Sequence, residues 1–162
     1  MVREYEMLKE QGVFELTPRL LERNVVGSKW VYAVKWRYDG IVDRQKARTI
    51  AKGFTQVLGE DYDKTYALVA QLESVRLVCA IAASRRLRLW QIDFISAFLN
   101  SKSMFDIYIE QPRGFEEEGD DLVWKLQKTL YRTMQGTHNW AKNLDRTFEG
   151  HGYYRLWVDP QI

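Results

Sequence analysis

The chain has 162 residues, a formal net charge of +2, 46% apolar and 28% charged residues, one cysteine and two histidines. That is enough chain for one hydrophobic core, with the balance of a folded globular protein, which excludes collagen-like and wholly disordered classes. Cys79 cannot close an internal disulfide, two histidines and one cysteine fall short of a structural zinc site, and no apolar run approaches the roughly 20 residues of a membrane helix.

Residues 3–11 read as a helix interrupted by Gly12, part of a peripheral arm over residues 1–23. From Ser28 to Trp36 the run SKWVYAVKW alternates large apolar with polar or small residues, YDG at 38–40 supplies a turn, and Ile41–Thr49 returns, which predicts an antiparallel hairpin. Lys29, Lys35, Arg44, Lys46 and Arg48 decorate it. Residues 19–56 as a whole carry nine Lys or Arg against Glu22, Asp39 and Asp43, whereas residues 106–121 carry seven acids against Arg113. The low net charge makes this unevenness, and not the total, the argument for a nucleic-acid partner.

Residues 53–70, with Gly53, Gly59 and the segment GEDYDK, read as a connecting loop. Residues 72–87 place Leu72, Val75, Val78, Cys79, Ala82 and Ala83 on one face, which predicts a helix packed by that face, with Arg85, Arg86 and Arg88 offsetting its dipole. Leu89–Ile95 is short and apolar and predicts a buried strand carrying one charge, Asp93. Ile107–Glu110 predicts another strand, Pro112–Gly119 a loop, Leu122–Leu130 a strand or turn, and 137–150 a helix ended by Gly150 and Gly152.

A carboxylate near the end of a buried strand suits a hard cation such as magnesium, and it equally suits a structural acid that caps a turn or pairs with an arginine. Trp30, Trp36, Tyr38 and Phe54 beside the hairpin suit either base stacking or core packing. There is no glycine-rich phosphate loop and no Ser/His/Asp pattern, and Asp61 with Asp63 lacks the rest of a calcium loop.

In order, KWVYAVKWRYDG, RQKARTIAKGFTQVLGEDYDKTYALVA, LWQIDFISAFLN, IYIEQPRGF and LYRTMQGTHNW form a series over residues 24–159 that resembles copia-type retrotransposon reverse transcriptases. The resemblance implies an α+β fold, a partial fingers–palm of a right-hand polymerase with antiparallel strands packed on helices. Residues 1–162 would form one domain, with a fingers hairpin and loop over 24–70 and a partial palm over 71–162. It implies that Asp93 is the first catalytic aspartate, holding Mg2+ or Mn2+ for two-metal phosphoryl transfer. It also implies that Lys46, Arg48 and Lys52 meet the phosphates of template and dNTP, that Phe98 crowds the sugar 2′ position, and that Gln135 lies beside the incoming nucleotide. A solvated basic face for the cations and plain core packing for Phe98 remain the open alternatives.

Two departures qualify the match. The family pattern LYGLKQAPRxW stands here as LYRTMQGTHNW, so Arg132 replaces glycine, Gly136 alanine, Thr137 proline and His138 arginine. Arg132 is expected to strain its turn, and His138 removes a phosphate contact. The paired aspartates of a Tyr-x-Asp-Asp hairpin are also absent, since no Asp-Asp follows the one at 120–121. The expectation is a chain truncated before that box and not polymerase-competent alone. The alternatives are a non-catalytic nucleic-acid-binding or structural module derived from a retroelement, or a metal-dependent nuclease.

Expected partners are RNA or DNA and dNTP in an intracellular setting, cytoplasmic or nuclear, with no membrane. A homo-oligomer burying residues near 89–98 or 122–140 is expected as well. A tail over 150–162, with Tyr153, Tyr154, Leu156 and Trp157, is the competing cover for the same apolar surface.

Overall fold

The computed structural model describes residues 1–65, 70–119 and 121–155. Helix α1 (Val2–Glu10) leads into strands β1 (Phe14–Pro18), β2 (Val25–Val26), β3 (Ser28–Trp36) and β4 (Val42–Ala51). Then come helix α2 (Leu72–Ser84), strands β5 (Tyr108–Ile109) and β6 (Leu122–Leu126), and helix α3 (Gly136–Gly150). The architecture is mixed α+β.

One sheet has four strands in the order β1-β6-β5-β2, and β3 with β4 forms a separate antiparallel pair. In the larger sheet β1 runs antiparallel to β6, with Phe14 opposite Leu126, and β5 antiparallel to β6, but β2 pairs with β5 in parallel. The expected antiparallel pairing holds for β1 with β6, β5 with β6 and β3 with β4, and the β2–β5 pair is a parallel addition to it. Pro18 ends β1 on the sheet edge, where a missing N–H costs no ladder bond.

The core lies between this sheet and α1. Phe14 stacks on Trp124 at 3.7 Å between centroids, Tyr5 meets Trp124 at 6.0 Å, and Leu8 is fully buried beside Val13, Val26, Ile107 and Ile109. Residues 1–23 thus supply core side chains and the β1 edge, rather than only a loose arm. Glu117 ties α1 down, accepting hydrogen bonds from Tyr5 Oη at 2.5 Å and Lys9 Nζ at 2.7 Å. Burial first, and then Glu117, push the Tyr5 hydroxyl up to about 12.

The hairpin forms as its alternation predicts. Arg37 and Ile41 close the turn with a 2.8 Å backbone bond, and Gly40 sits at φ +77, where a glycine is at ease. A bulge between Lys35 and Trp36 shifts the register near the tip, so that Trp36 faces Val42.

Two expectations fail in the middle of the chain. Helix α2 forms, but its apolar face is not packed: Leu72 is 57% exposed and Val75 44%, Cys79 is exposed, and only Ala82 is buried. Leu89–Ile95 is not a buried strand; it has no regular structure, and Trp90 is 85% exposed. Its composition suits a strand, but strand propensity is realised only against a partner, and no described strand pairs with it. The expected loop at 53–70 is more than a connector, because Asp61 is buried and Asp61 Oδ2 accepts hydrogen bonds from Asn24 Nδ2 and Val57 N.

Residues 122–140 are largely used inside the chain, with Val123, Trp124, Leu126 and Leu130 buried, which removes most of that stretch as a surface between copies. Tyr153 meets Phe148 edge-on at 5.7 Å, whereas Leu156 and Trp157 of the expected covering tail lie outside the described residues. No helix among the described residues is long and apolar enough to cross a membrane.

Candidate nucleotide and nucleic-acid interface

Strand register decides what the hairpin presents. Directly opposed residues point to the same side of a two-stranded sheet, and successive residues alternate. Val31 faces Arg48, Ala33 faces Lys46 and Lys35 faces Arg44, with Lys29 opposite Ile50. All five hairpin cations, Lys29, Lys35, Arg44, Lys46 and Arg48, therefore share one side. The other side carries Trp30, Tyr32, Val34 and Trp36, so the hairpin is basic on one face and aromatic on the other.

Salt bridges thin out the available cations. Arg19 is held by Glu110 and Asp121 at 2.7 Å each, and these two acids raise its already high pKa further. Arg37 reaches Asp39 at 3.6 Å and Arg44 reaches Asp43 at 3.8 Å. Lys29, Lys35, Lys46, Arg48 and Lys52 make no salt bridge among the described residues. Burial, followed by the charges of Arg48 and Arg44, lowers the Lys46 pKa, with Glu4 opposing and Lys35 adding to the repulsion. Glu4 offsets only part of this crowded positive charge, and an incoming phosphate would relieve the rest.

At the base of the basic face, Arg48 lies over the Tyr131 ring at 5.1 Å from its centroid. Tyr131 meets Phe98 edge-on at 6.3 Å and donates its hydroxyl to Ser96 Oγ at 3.3 Å. Phe98 in turn abuts Gly136 at the start of α3. Arg48, Tyr131, Phe98 and the Gln135–Gly136 step thus form one continuous group. Lys52 is set apart from it, its stem lying across Gly27 at the foot of the hairpin.

Gln135 is 1% exposed, and its amide is bonded to Gln56 at 3.2 Å. Its Nε2 is buried without a partner among the described residues, a state that costs on the order of 1–3 kcal/mol and marks a donor lacking an acceptor. The segment around it is pinned to the foot of the hairpin: Ala51 N donates to Tyr131 O at 3.0 Å, and Met134 N donates to Gln56 Oε1 at 2.7 Å. A Cβ on Gly53 would fall 2.3 Å from Arg132 O, so only glycine permits this approach. Arg132 itself has φ +63, in the left-handed region.

Asp93 stands apart from this group. It is exposed and makes no hydrogen bond or salt bridge among the described residues, and its neighbour Phe94 packs edge-on against Trp140 of α3 at 5.1 Å. No three His, Cys, Asp or Glu side chains gather to hold a metal among the described residues. One exposed carboxylate does not fit a two-ion centre, which needs several oxygen ligands converging on both ions.

Tyr131, Ser96 and Gln56 carry no individual signal in the sequence, and Gly53 reads there only as a loop residue. Gly53 and Gln56 were present in the AKGFTQ block, and Tyr131 in LYRTMQ. Only the fold shows that these two blocks touch.

Residues 11–159 match the family described as reverse transcriptase (RNA-dependent DNA polymerase), and the chain belongs to that family. Within it the chain is of the copia type, as its relatives indicate. It is 34% identical over 163 aligned positions to the retrovirus-related Pol polyprotein from transposon TNT 1-94 of Nicotiana tabacum, covering all of this chain and 12% of that protein. It is 37% identical over 121 residues to the corresponding polyprotein from transposon RE1 of Arabidopsis thaliana, covering 74% of this chain and 8% of the relative. An uncharacterized mitochondrial protein of Arabidopsis thaliana is 35% identical over 82 residues, half of this chain and 48% of its own length. The chain spans about a tenth of the polyproteins it matches. No solved structure matches it.

Proposed function

We propose that this chain forms the fingers and first palm segment of an RNA-directed DNA polymerase of right-hand architecture, and that by itself it binds template and dNTP without transferring nucleotides. The observation that carries this reading is the hairpin register, which gathers five cations on one face and leads through Arg48 and Tyr131 to Phe98 and the start of α3. In this reading Lys46 and Arg48 take phosphates, Lys52 adds positive charge at the hairpin foot, Phe98 borders the sugar, and Gln135 contributes at the nucleotide. Asp93 offers Mg2+ or Mn2+ one carboxylate, too few ligands for two-metal catalysis. Such substrates imply action in the cytoplasm or nucleus.

A primer-extension assay with Mg2+ or Mn2+, run beside Asp93→Asn, tests the reading. The expected result is no extended product from either protein. Synthesis abolished by Asp93→Asn would contradict it.

A second reading, self-association, rests on the exposed apolar residues Leu89, Trp90, Ile92 and Ile95, which follow α2 in the chain, and on the exposed apolar residues of α2 itself. Light scattering at high protein concentration should then give a mass above that of one chain, and a monomeric mass would remove this reading.

A further inference from the structure

A backbone N–H is an unambiguous donor, and one such group sets the direction of the buried amide chain below the hairpin. Met134 donates its N–H to Gln56 Oε1 at 2.7 Å. The other end of the Gln56 amide must then be Nε2, which donates to Gln135 Oε1 at 3.2 Å. Gln135 is left with its own Nε2 uncommitted and buried. Both glutamines are buried, so water does not compete for these bonds. Ala51 N to Tyr131 O and the tight approach of Gly53 to Arg132 O hold the two segments together on either side.

We infer that Gln56 is a positioning residue that locks the foot of the hairpin to the start of α3 and fixes Gln135 with Nε2 as its free donor, so that a ligand reaching it once the covering side chains move aside places an acceptor there, such as a hydroxyl, carbonyl or phosphate oxygen of a nucleotide. The ligand half of this statement rests on the proposed nucleotide-binding function; the direction of the amide chain does not. Gln56→Glu reverses the direction. Its carboxylate still accepts the Met134 N–H but offers no donor to Gln135 Oε1, so the Gln135 amide turns over, donates Nε2 to the carboxylate and presents its carbonyl instead. Gln56→Met keeps the side-chain length and removes both bonds.

Solution NMR on the whole 15N-labelled chain, with amide exchange followed at Met134 and dTTP with Mg2+ as the ligand probe, tests this. In the unsubstituted chain the Met134 amide exchanges slowly and the Gln135 side-chain NH2 resonances lie where unbonded amides lie. Gln56→Met speeds Met134 exchange by roughly tenfold or more, since the opening loses a closing bond. Gln56→Glu leaves Met134 slow and moves the Gln135 NH2 resonances downfield. Both Gln56→Glu and Gln135→Leu weaken dTTP binding by about tenfold, and the double variant is no weaker than either, as expected when one residue acts through the other.

Fast Met134 exchange in the unsubstituted chain, unchanged exchange in Gln56→Met, or unmoved Gln135 resonances in Gln56→Glu would each overturn the inference. Additive losses of dTTP affinity would do the same. If the unsubstituted chain binds no dTTP, the nucleotide-binding function fails, while the exchange and resonance measurements still decide the amide direction.

Discussion

Arg132 holds φ +63, where an L side chain is disfavoured by about 1–2 kcal/mol. The neighbouring carbonyl, Arg132 O, is pressed against Gly53, so the turn cannot relax by moving the peptide outward. Arg132→Gly removes the side-chain strain, and the greater freedom of glycine in the unfolded chain offsets about 0.4–1 kcal/mol of that gain. The expected net result is a stabilisation of roughly 0.5–1 kcal/mol in urea unfolding. This strain was legible beforehand, because arginine stands where the family pattern has glycine. The close approach of Gly53 was not, since it depends on a residue 79 positions from Arg132 in sequence terms being brought beside it only by the fold.

Glu4 carries the other residue-scale prediction. Burial raises its pKa above the ordinary 4.5, and Arg48, Lys46 and the N-terminal amine only partly oppose that. The folded state therefore binds this proton more readily than the unfolded state. Its stabilising contribution is present below pH 4.5 and is lost as pH rises through the raised folded value. Glu4→Gln should gain stability relative to the unsubstituted chain as pH rises from about 4 to about 7, read as a growing difference in urea midpoints. Glu117 works in the opposite direction: Lys9 and Tyr5 lower its pKa, so its contribution is lost on acidification, and a difference between variants is needed to isolate Glu4.

At the scale of elements, the hairpin and helix α3 were legible because their signals are local: alternation with a YDG turn for one, helical spacing ended by Gly150 for the other. The division between core and surface was less legible, because it depends on which element finds a partner. Residues 72–84 form the more apolar helix, yet Leu72 and Val75 face outward, while Leu8 in the more polar α1 sits at the centre of the core. Leu8→Ala should accordingly cost about 2–5 kcal/mol in urea unfolding, and Val75→Ala only about 0.5 kcal/mol. Equal losses at the two sites would contradict this assignment of the core. Strand β1 went unread because its five residues have no turn signal of their own and gain their identity from pairing with β6.

Over the whole molecule, a net charge of +2 conceals a sorted arrangement. Four of the seven acids of 106–121 are matched to particular cations, Asp106 to Lys125, Glu110 and Asp121 to Arg19, and Glu117 to Lys9. On the basic face of the hairpin Lys46 and Arg48 make no salt bridge among the described residues, and Glu4 offsets their charge only in part. Phosphate binding there releases counterions, so affinity should fall with salt and each lost phosphate contact should reduce the logarithmic salt slope by about 1. The most direct test is a titration of a labelled primer–template against the chain across a series of salt concentrations, with Lys46→Glu/Arg48→Glu alongside. The account predicts salt-sensitive binding that the double variant weakens sharply, with the slope reduced by about 2. Equal affinity and equal slope for the two proteins would contradict it.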